Sequence, residues 1–218
     1  MKKLKYIFLL AGALSLASCE SWLDEDPQYT INTKTQFSTV ENARQALMGC
    51  YGYMSADNAY GQAWQEVTFG YCGFGWSQTN GSSTDLLVSM DGGIDETINT
   101  MAWRGMYKVI GETNAFIANI ADSPLESADK LPMEAAARFL RALAYYNLAV
   151  TYGDVPLKTT PSAHDGVAVP RSPKNEVFEL VRTDWEFAYE NLPEKDDDGF
   201  ATKWAAKAYL GKLYHCLL

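Results

Sequence analysis

The chain has 218 residues, of which 47% are apolar, 13% aromatic and 21% charged, a composition typical of a globular protein. Its 27 Asp and Glu residues outnumber 18 Lys and Arg residues. This acidic balance argues against a nucleic-acid partner, because binding of phosphates needs a basic face. No apolar run reaches the roughly 18 residues that would suggest a membrane span.

The first residues have the features of an export signal. A basic region comes first and contains Lys2, Lys3 and Lys5. Residues 7–16 then form an apolar stretch that is too short to span a bilayer and has the length of a signal-peptide core. We therefore expect export from the cytoplasm.

The export signal ends at a candidate lipidation site, Cys19. Small residues before this single cysteine resemble the bacterial lipobox, where the thiol is diacylated and the chain is cut just before it. Plain secretory cleavage after Ser18 is the alternative. We expect residues 1–18 to be a lipoprotein signal peptide and residues 19–36 to be a lipidated tether. The acidic residues after Cys19 resemble a signal for exposure at the cell surface.

Three other cysteines remain, Cys50, Cys72 and Cys216. A Cys50–Cys72 disulfide is permitted in an oxidising compartment. We favour two buried thiols, since free cysteine behaves as a small hydrophobic residue. Only His164 and His215 could assist a metal site, so no metal or other cofactor is expected.

Five stretches of helical periodicity follow and predict an all-α fold. The first begins at Ser38 with a capping-box pattern that includes Glu41. The second, from Trp103 to Ile120, is closed by Pro124. The third covers residues 136–150. Its start signal is Pro132, and its stop signals are Gly153 and Pro156. The fourth helix is predicted to begin at Ser172-Pro173. The fifth is predicted to begin near Thr202.

The predicted helices are similar in length and have alanine at contact positions. These features predict stacked helical hairpins of the tetratricopeptide (TPR) type, although the consensus repeat signature is absent. Leu218 comes only a few turns into the fifth predicted helix. Because a terminal helix with an exposed apolar face is unusual in such arrays, we expect residues 37–218 to be an incomplete N-terminal α-helical domain.

A glycine-rich region at residues 57–100 interrupts the helical pattern and contains the candidate ligand-binding residues. Aromatic rings can stack on the apolar faces of sugars, amides can bind hydroxyls, and glycines permit close approach of the backbone. The alternative is that the rings fill the core. The candidate glycan-binding residues are Trp64, Tyr71, Phe74, Trp76 and Asn80.

No phosphate-binding loop, dinucleotide-binding motif or nucleophile elbow is present in the sequence. Paired carboxylates for glycoside hydrolysis cannot be singled out among 27 acidic residues. We therefore expect a binding protein and not an enzyme.

The third predicted helix and the turn after it resemble a known family. Residues 137–148 read ARFLRALAYYNL and residues 152–157 read YGDVPL. This combination closely resembles the signature of the RagB/SusD family of nutrient-uptake outer-membrane lipoproteins. Other landmarks of that family occur in order at Trp22-Leu23-Asp24, Tyr107-x-x-Ile110, Arg171-Ser172-Pro173 and Ala201-Thr202-Lys203-Trp204.

The resemblance implies a surface-exposed, lipid-anchored protein with TPR-like helices at the outer membrane. Such proteins capture oligosaccharides, or peptides in some members, and deliver them without catalysis to a SusC-like TonB-dependent transporter. Members of the family are roughly twice as long as this chain. A helical scaffold lipoprotein that binds only a protein or peptide is the alternative. The family's sugar contacts lie outside its shared motif, so the candidate binding residues rest on composition and on the tendency of the family's early loop region to contribute to the glycan site.

Overall fold

Six α-helices build the part of the chain described by the structure, a computed structural model. It describes residues 33–70, 72, 89–90, 97–161, 169–196 and 199–217. A short helical turn, Thr33–Gln36, precedes the first helix. The helices are α1 (Val40–Ser55), α2 (Ala63–Gly70), α3 (Thr97–Ala121), α4 (Ser127–Tyr152), α5 (Lys174–Asn191) and α6 (Lys203–Leu217).

The helices form a stacked array with α4 at its centre. Helix α4 packs against α1, α3 and α5, and α5 packs against α6. The side chains between them form one core, in which Met106, Tyr145, Leu148 and Trp185 are fully buried. The predicted all-α, TPR-like fold is confirmed, because amphipathic helices of this kind are stable only when their apolar faces meet.

Helix α1 begins one residue later than the predicted capping box requires. The N-cap is Thr39, whose hydroxyl accepts a hydrogen bond of 3.2 Å from the Asn42 N–H. The Ser38 hydroxyl instead donates to the Thr35 carbonyl, at 2.8 Å. The capping box at Ser38 is therefore wrong, because its hydroxyl is engaged by the preceding turn.

Helix α4 begins at Ser127, so Pro132 lies inside the helix and does not precede it. A proline in the second turn removes one backbone hydrogen bond, which the packing of this central helix tolerates. The predicted end is confirmed, since Gly153 forms the C-cap with a φ of 75°. The Arg138 guanidinium also lies 2.6 Å from the Glu134 carboxylate.

Part of the predicted interruption is helical. Residues Asp57–Gly61 form a π-helical turn and α2 follows directly. Two short elements of this kind show too little periodicity to be recognised in a sequence. Gly105 of α3 permits this turn to lie against α3, since a Cβ there would lie 1.9 Å from the Asn58 carbonyl oxygen.

Two short strands connect α4 to α5. Strand β1 (Val155–Pro156) pairs antiparallel with β2 (Arg171–Ser172). Ser172 thus belongs to a strand, and Pro173 is the N-cap of α5 without a side-chain hydrogen bond. The missing acceptor comes from Asp154, whose Oδ1 accepts a 2.8 Å hydrogen bond from the Lys174 N–H.

Side chains from α3 and α4 hold the backbone at the end of β1 and just after it. The Tyr107 hydroxyl donates to the Pro156 carbonyl, and the Tyr145 hydroxyl donates to the Lys158 carbonyl, each at 2.8 Å. The Asn114 amide donates to the Lys158 carbonyl at 3.0 Å. These bonds satisfy the backbone carbonyl groups of Pro156 and Lys158.

Helix α1 is also tied to the residues that precede α6. The Tyr51 hydroxyl accepts a 2.9 Å hydrogen bond from the Ala201 N–H. The Tyr51 ring meets the Phe200 ring edge to face, with 4.9 Å between centroids. Burial is the main cause that raises the pKa of Tyr51 to about 12.

Helix α6 buries one side and exposes aromatic side chains on the other. Ala206, Leu210 and Leu213 are buried, whereas Trp204 is 51% exposed and Tyr214 is 48% exposed. Within the described ranges, no helix has the length and apolarity needed to cross a membrane.

Candidate functional site

The structure describes one of the five candidate glycan-binding residues, Trp64, which lies in the first turn of α2. The other four, Tyr71, Phe74, Trp76 and Asn80, lie outside the described residues, as does Cys19. Their predicted roles stay predictions. The described structure instead shows how the two ends of this region are held.

Trp64 is buried at the entry to the region, with 6% of its surface exposed. Its ring lies against that of Tyr60, with 6.5 Å between centroids. The Tyr60 hydroxyl accepts a 2.7 Å hydrogen bond from the Asn147 amide, and burial raises the pKa of this tyrosine. These contacts anchor the start of α2 to α4 and favour a packing role for Trp64.

Phe69 points outward from the last turn of α2. Its side chain is 56% exposed, whereas Ala63 and Val67 on the same helix are fully buried. Phe69 belongs to the aromatic cluster in the sequence but was not selected there as a ligand-binding residue. The helical phase of α2 supplies the missing signal, because it turns Trp64 inward and leaves Phe69 exposed.

The exit from the region is anchored by an aromatic cluster at the start of α3. The Trp103 ring centroid lies 5.0 Å from that of Tyr107 and 5.1 Å from that of Tyr152. The Tyr152 hydroxyl donates a long 3.4 Å hydrogen bond to the Asn99 carbonyl. With Ile98 buried, the first turns of α3 are fixed on α4.

A buried polar network ties together helices α3, α4 and α5. Arg141 of α4 donates from Nε to Asp184 Oδ2 at 2.7 Å and from Nη2 to Oδ1 at 2.8 Å. Its Nη1 donates to the Asn114 side-chain oxygen at 2.9 Å. The Arg141 and Asp184 side chains are 6% and 1% exposed. Each charge is paired and hydrogen-bonded, as burial requires.

The described cysteines are free thiols. Cys50 is buried, as predicted, and burial followed by the nearby Glu112 charge raises its pKa to about 12. The prediction that Cys72 is also buried is wrong, because this side chain is exposed at the turn after α2. Cys216 Sγ lies 3.2 Å from the Tyr146 hydroxyl. Among the residues that the structure describes, no group of three potential ligands could hold a metal ion.

The fold and the sequence define the class of protein, a helical binding protein of the SusD-like type. The family SusD-like_3, described as "Starch-binding associating with outer membrane", matches residues 21–215. The chain therefore belongs to the SusD-like family, which confirms the resemblance seen in the sequence. SusD-like proteins are non-catalytic binding proteins.

Relatives and solved structures agree with this assignment. A SusD-like protein of Formosa agariphila is 26% identical over 96% of this chain, which covers 42% of that relative. A SusD superfamily protein of Bacteroides thetaiotaomicron has a TM-score of 0.71 and 25% identity, with 81% of this chain and 42% of that chain covered. The chain thus spans less than half the length of these relatives.

One similar structure was solved with a sugar. Its description names a xylogluco-oligosaccharide, and it has a TM-score of 0.66 and 26% identity to this chain. The similarity covers 78% of this chain and 34% of that one.

Proposed function

We propose that this protein is a surface lipoprotein of the outer membrane that binds oligosaccharides and delivers them, without catalysis, to a SusC-like TonB-dependent transporter. The observation that carries the proposal is the match of residues 21–215 to a family described as starch-binding and associated with the outer membrane. A similar structure solved with a xylogluco-oligosaccharide supports a glycan as the ligand class.

The proposed glycan site combines Tyr71, Phe74, Trp76 and Asn80, and the buried Trp64 anchors the helix that precedes them in the chain. Phe69 supports this location, since its exposed ring lies two residues before Tyr71. The anchored ends of the region support it as well, because a binding surface loses less conformational entropy when its ends are already fixed.

Replacing Trp76 or Tyr71 with alanine is expected to weaken glycan binding at least tenfold, about 1.4 kcal/mol, because each change removes a stacking face. Isothermal titration of the full chain against a panel of neutral oligosaccharides measures this loss. Trp204→Ala is the matched control, since it removes an equally large ring that is 51% exposed on α6.

A cooperative fold with no glycan binding, or binding that is unchanged in Trp76→Ala and Tyr71→Ala, would contradict the proposed site. The first result would favour the protein-binding scaffold, for which the exposed Trp204 and Tyr214 side chains supply a surface. Release of shortened products from a bound glycan would contradict the non-catalytic role.

The membrane anchor is proposed at Cys19, after removal of residues 1–18, with residues 19–36 as the tether. We expect an alkyne fatty-acid probe, fed to cells that make the full chain, to label the wild type and to leave Cys19→Ser unlabelled. Cys72→Ser is the matched control, because Cys72 is also a free and exposed thiol. Equal labelling of wild type and Cys19→Ser would exclude this anchor.

A further inference from the structure

The outward side of α2 presents one aromatic ring beside three polar side chains. Phe69 and Gln65 are exposed, as is Gln62 directly before the helix, and Glu66 is partly exposed. These residues are three, four and seven positions apart, so they lie on one face of the helix. We call these four residues the α2 face, which is about 10 Å long at the rise of an α-helix.

Hydrogen bonds hold the polar side chains of the α2 face in place. The Gln62 amide donates to Glu66 Oε1 at 2.7 Å, and the Gln65 amide donates to the Tyr60 carbonyl at 2.6 Å. An amide side chain has two N–H hydrogens and a carbonyl oxygen. Beyond these bonds, each glutamine therefore has a second N–H hydrogen and a carbonyl oxygen that can bind a hydroxyl group.

The Phe69 side chain is the most exposed aromatic side chain that the structure describes, at 56%. Two other exposed rings carry a cation: Lys108 Nζ lies 4.8 Å from the Tyr53 centroid, and Lys203 Nζ lies 4.9 Å from the Trp204 centroid. Within the described residues, no cation or second ring lies on Phe69. Because a cation occupies the ring face on which a sugar would stack, Phe69 is better suited to stacking than these two rings.

The inner side of α2 is fixed to the core. Ala63 and Val67 are fully buried, and Trp64 is 6% exposed. The Thr68 hydroxyl donates to the Trp64 carbonyl at 2.9 Å, which engages this hydroxyl within the helix. The α2 face is therefore a rigid surface, and binding of a ligand there costs little conformational entropy of the protein.

The chemistry of the α2 face matches that of a sugar. A sugar ring has apolar C–H groups on its faces and hydroxyl groups around its edge. Gln65 and Glu66 are one helical turn from Phe69, so their Cβ atoms lie about 5–6 Å from that of Phe69. A sugar stacked on the Phe69 ring thus places its hydroxyl groups within reach of an amide and a carboxylate.

We infer, on the basis of the proposed function, that the α2 face is a further sugar-binding site. Phe69 stacks on one sugar ring, and Gln65 and Glu66 bind the hydroxyl groups of that ring. Gln62 lies one turn further along the face and binds the next sugar of the chain. The ligand class is an oligosaccharide, because a single sugar would leave Gln62 without a contact.

The test is isothermal titration of the full chain with five hexasaccharides: maltohexaose, cellohexaose, laminarihexaose, xylohexaose and mannohexaose. For a hexasaccharide that binds the wild type, we expect Phe69→Ala to weaken binding about tenfold and Gln62→Ala to weaken it about threefold. Phe69→Trp keeps an aromatic face and should bind within about twofold of the wild type. Trp204→Ala is the matched control and should leave binding unchanged, since it removes an exposed ring that carries a cation.

The outcomes separate this inference from the proposed function. Unchanged binding in Phe69→Ala, together with binding lost in Tyr71→Ala, would overturn this inference and leave the proposed function standing. Equal losses in Phe69→Ala and Phe69→Trp would overturn the stacking role of the ring. Should Phe69→Ala fail to fold by circular dichroism, unchanged binding in Gln62→Ala would overturn the inference. A panel in which no hexasaccharide binds would overturn both.

Discussion

Gly105→Ala is expected to lower the free energy of unfolding by more than about 3 kcal/mol. Single substitutions cause a loss of this magnitude only when they disrupt packing severely. The added Cβ would lie 1.9 Å from the Asn58 carbonyl oxygen and 2.4 Å from the Asn58 carbonyl carbon. Both are backbone atoms, so no side-chain rotation can relieve the clash. Helix α3 and the π-helical turn must separate, which opens the core around Ala59 and Ala102. Urea unfolding followed by circular dichroism measures the loss.

Two other helical glycines serve as matched controls. Nothing lies within 4 Å of a Cβ built on Gly49 of α1 or Gly211 of α6. Gly49→Ala and Gly211→Ala should therefore stabilise the fold by up to about 1 kcal/mol through helix propensity. Three alanine variants with the same stability would show that α3 and the π-helical turn do not approach as closely as described.

Arg141→Met is expected to cost about 3–5 kcal/mol of stability, because it leaves the Asp184 carboxylate buried without its bidentate partner. Arg138 compensates only in part, since its Nη1 lies 3.5 Å from Asp184 Oδ1 and its Nη2 is paired with Glu134. The Asn114 side-chain oxygen also loses its donor. Thermal and urea unfolding report the loss.

The double variant Arg141→Met/Asp184→Leu separates the cost of a buried carboxylate that has lost its bidentate partner from the contribution of the pair. A buried ion pair replaced by apolar side chains of similar volume is often neutral in stability. We expect the double variant to recover most of the loss seen in Arg141→Met. A double variant that is less stable than both single variants would mean that the pair itself stabilises the fold strongly.

The sequence predicted the long helices well because each carries a wide apolar stripe. Residues such as Met106, Ile110, Leu140 and Trp185 recur at helical spacing, and all of them are buried. The sequence could not show the contacts between residues that are distant in the chain. Asp154 caps a helix 20 residues later, and local capping rules pointed to Ser172 instead because they consider only adjacent residues.

The candidate site was predicted less completely than the fold. Composition identified an aromatic-rich region, but composition cannot tell an inward ring from an outward one. The phase of α2 makes that distinction for Trp64 and Phe69. Helix α2 is too short to show helical periodicity in the sequence. The inward position of Trp64 is therefore known only from the structure, in which its ring packs against Tyr60.

The hydrogen bond from the Ala201 N–H to the Tyr51 hydroxyl joins residues 150 positions apart, and this has a consequence for the order of events during synthesis. Helix α1 leaves the ribosome long before residue 201 exists. At about 5–20 residues per second, its final contacts wait on the order of ten seconds. During that interval the Tyr51 side of α1 lacks its last partners and stays open to contact with other polypeptides.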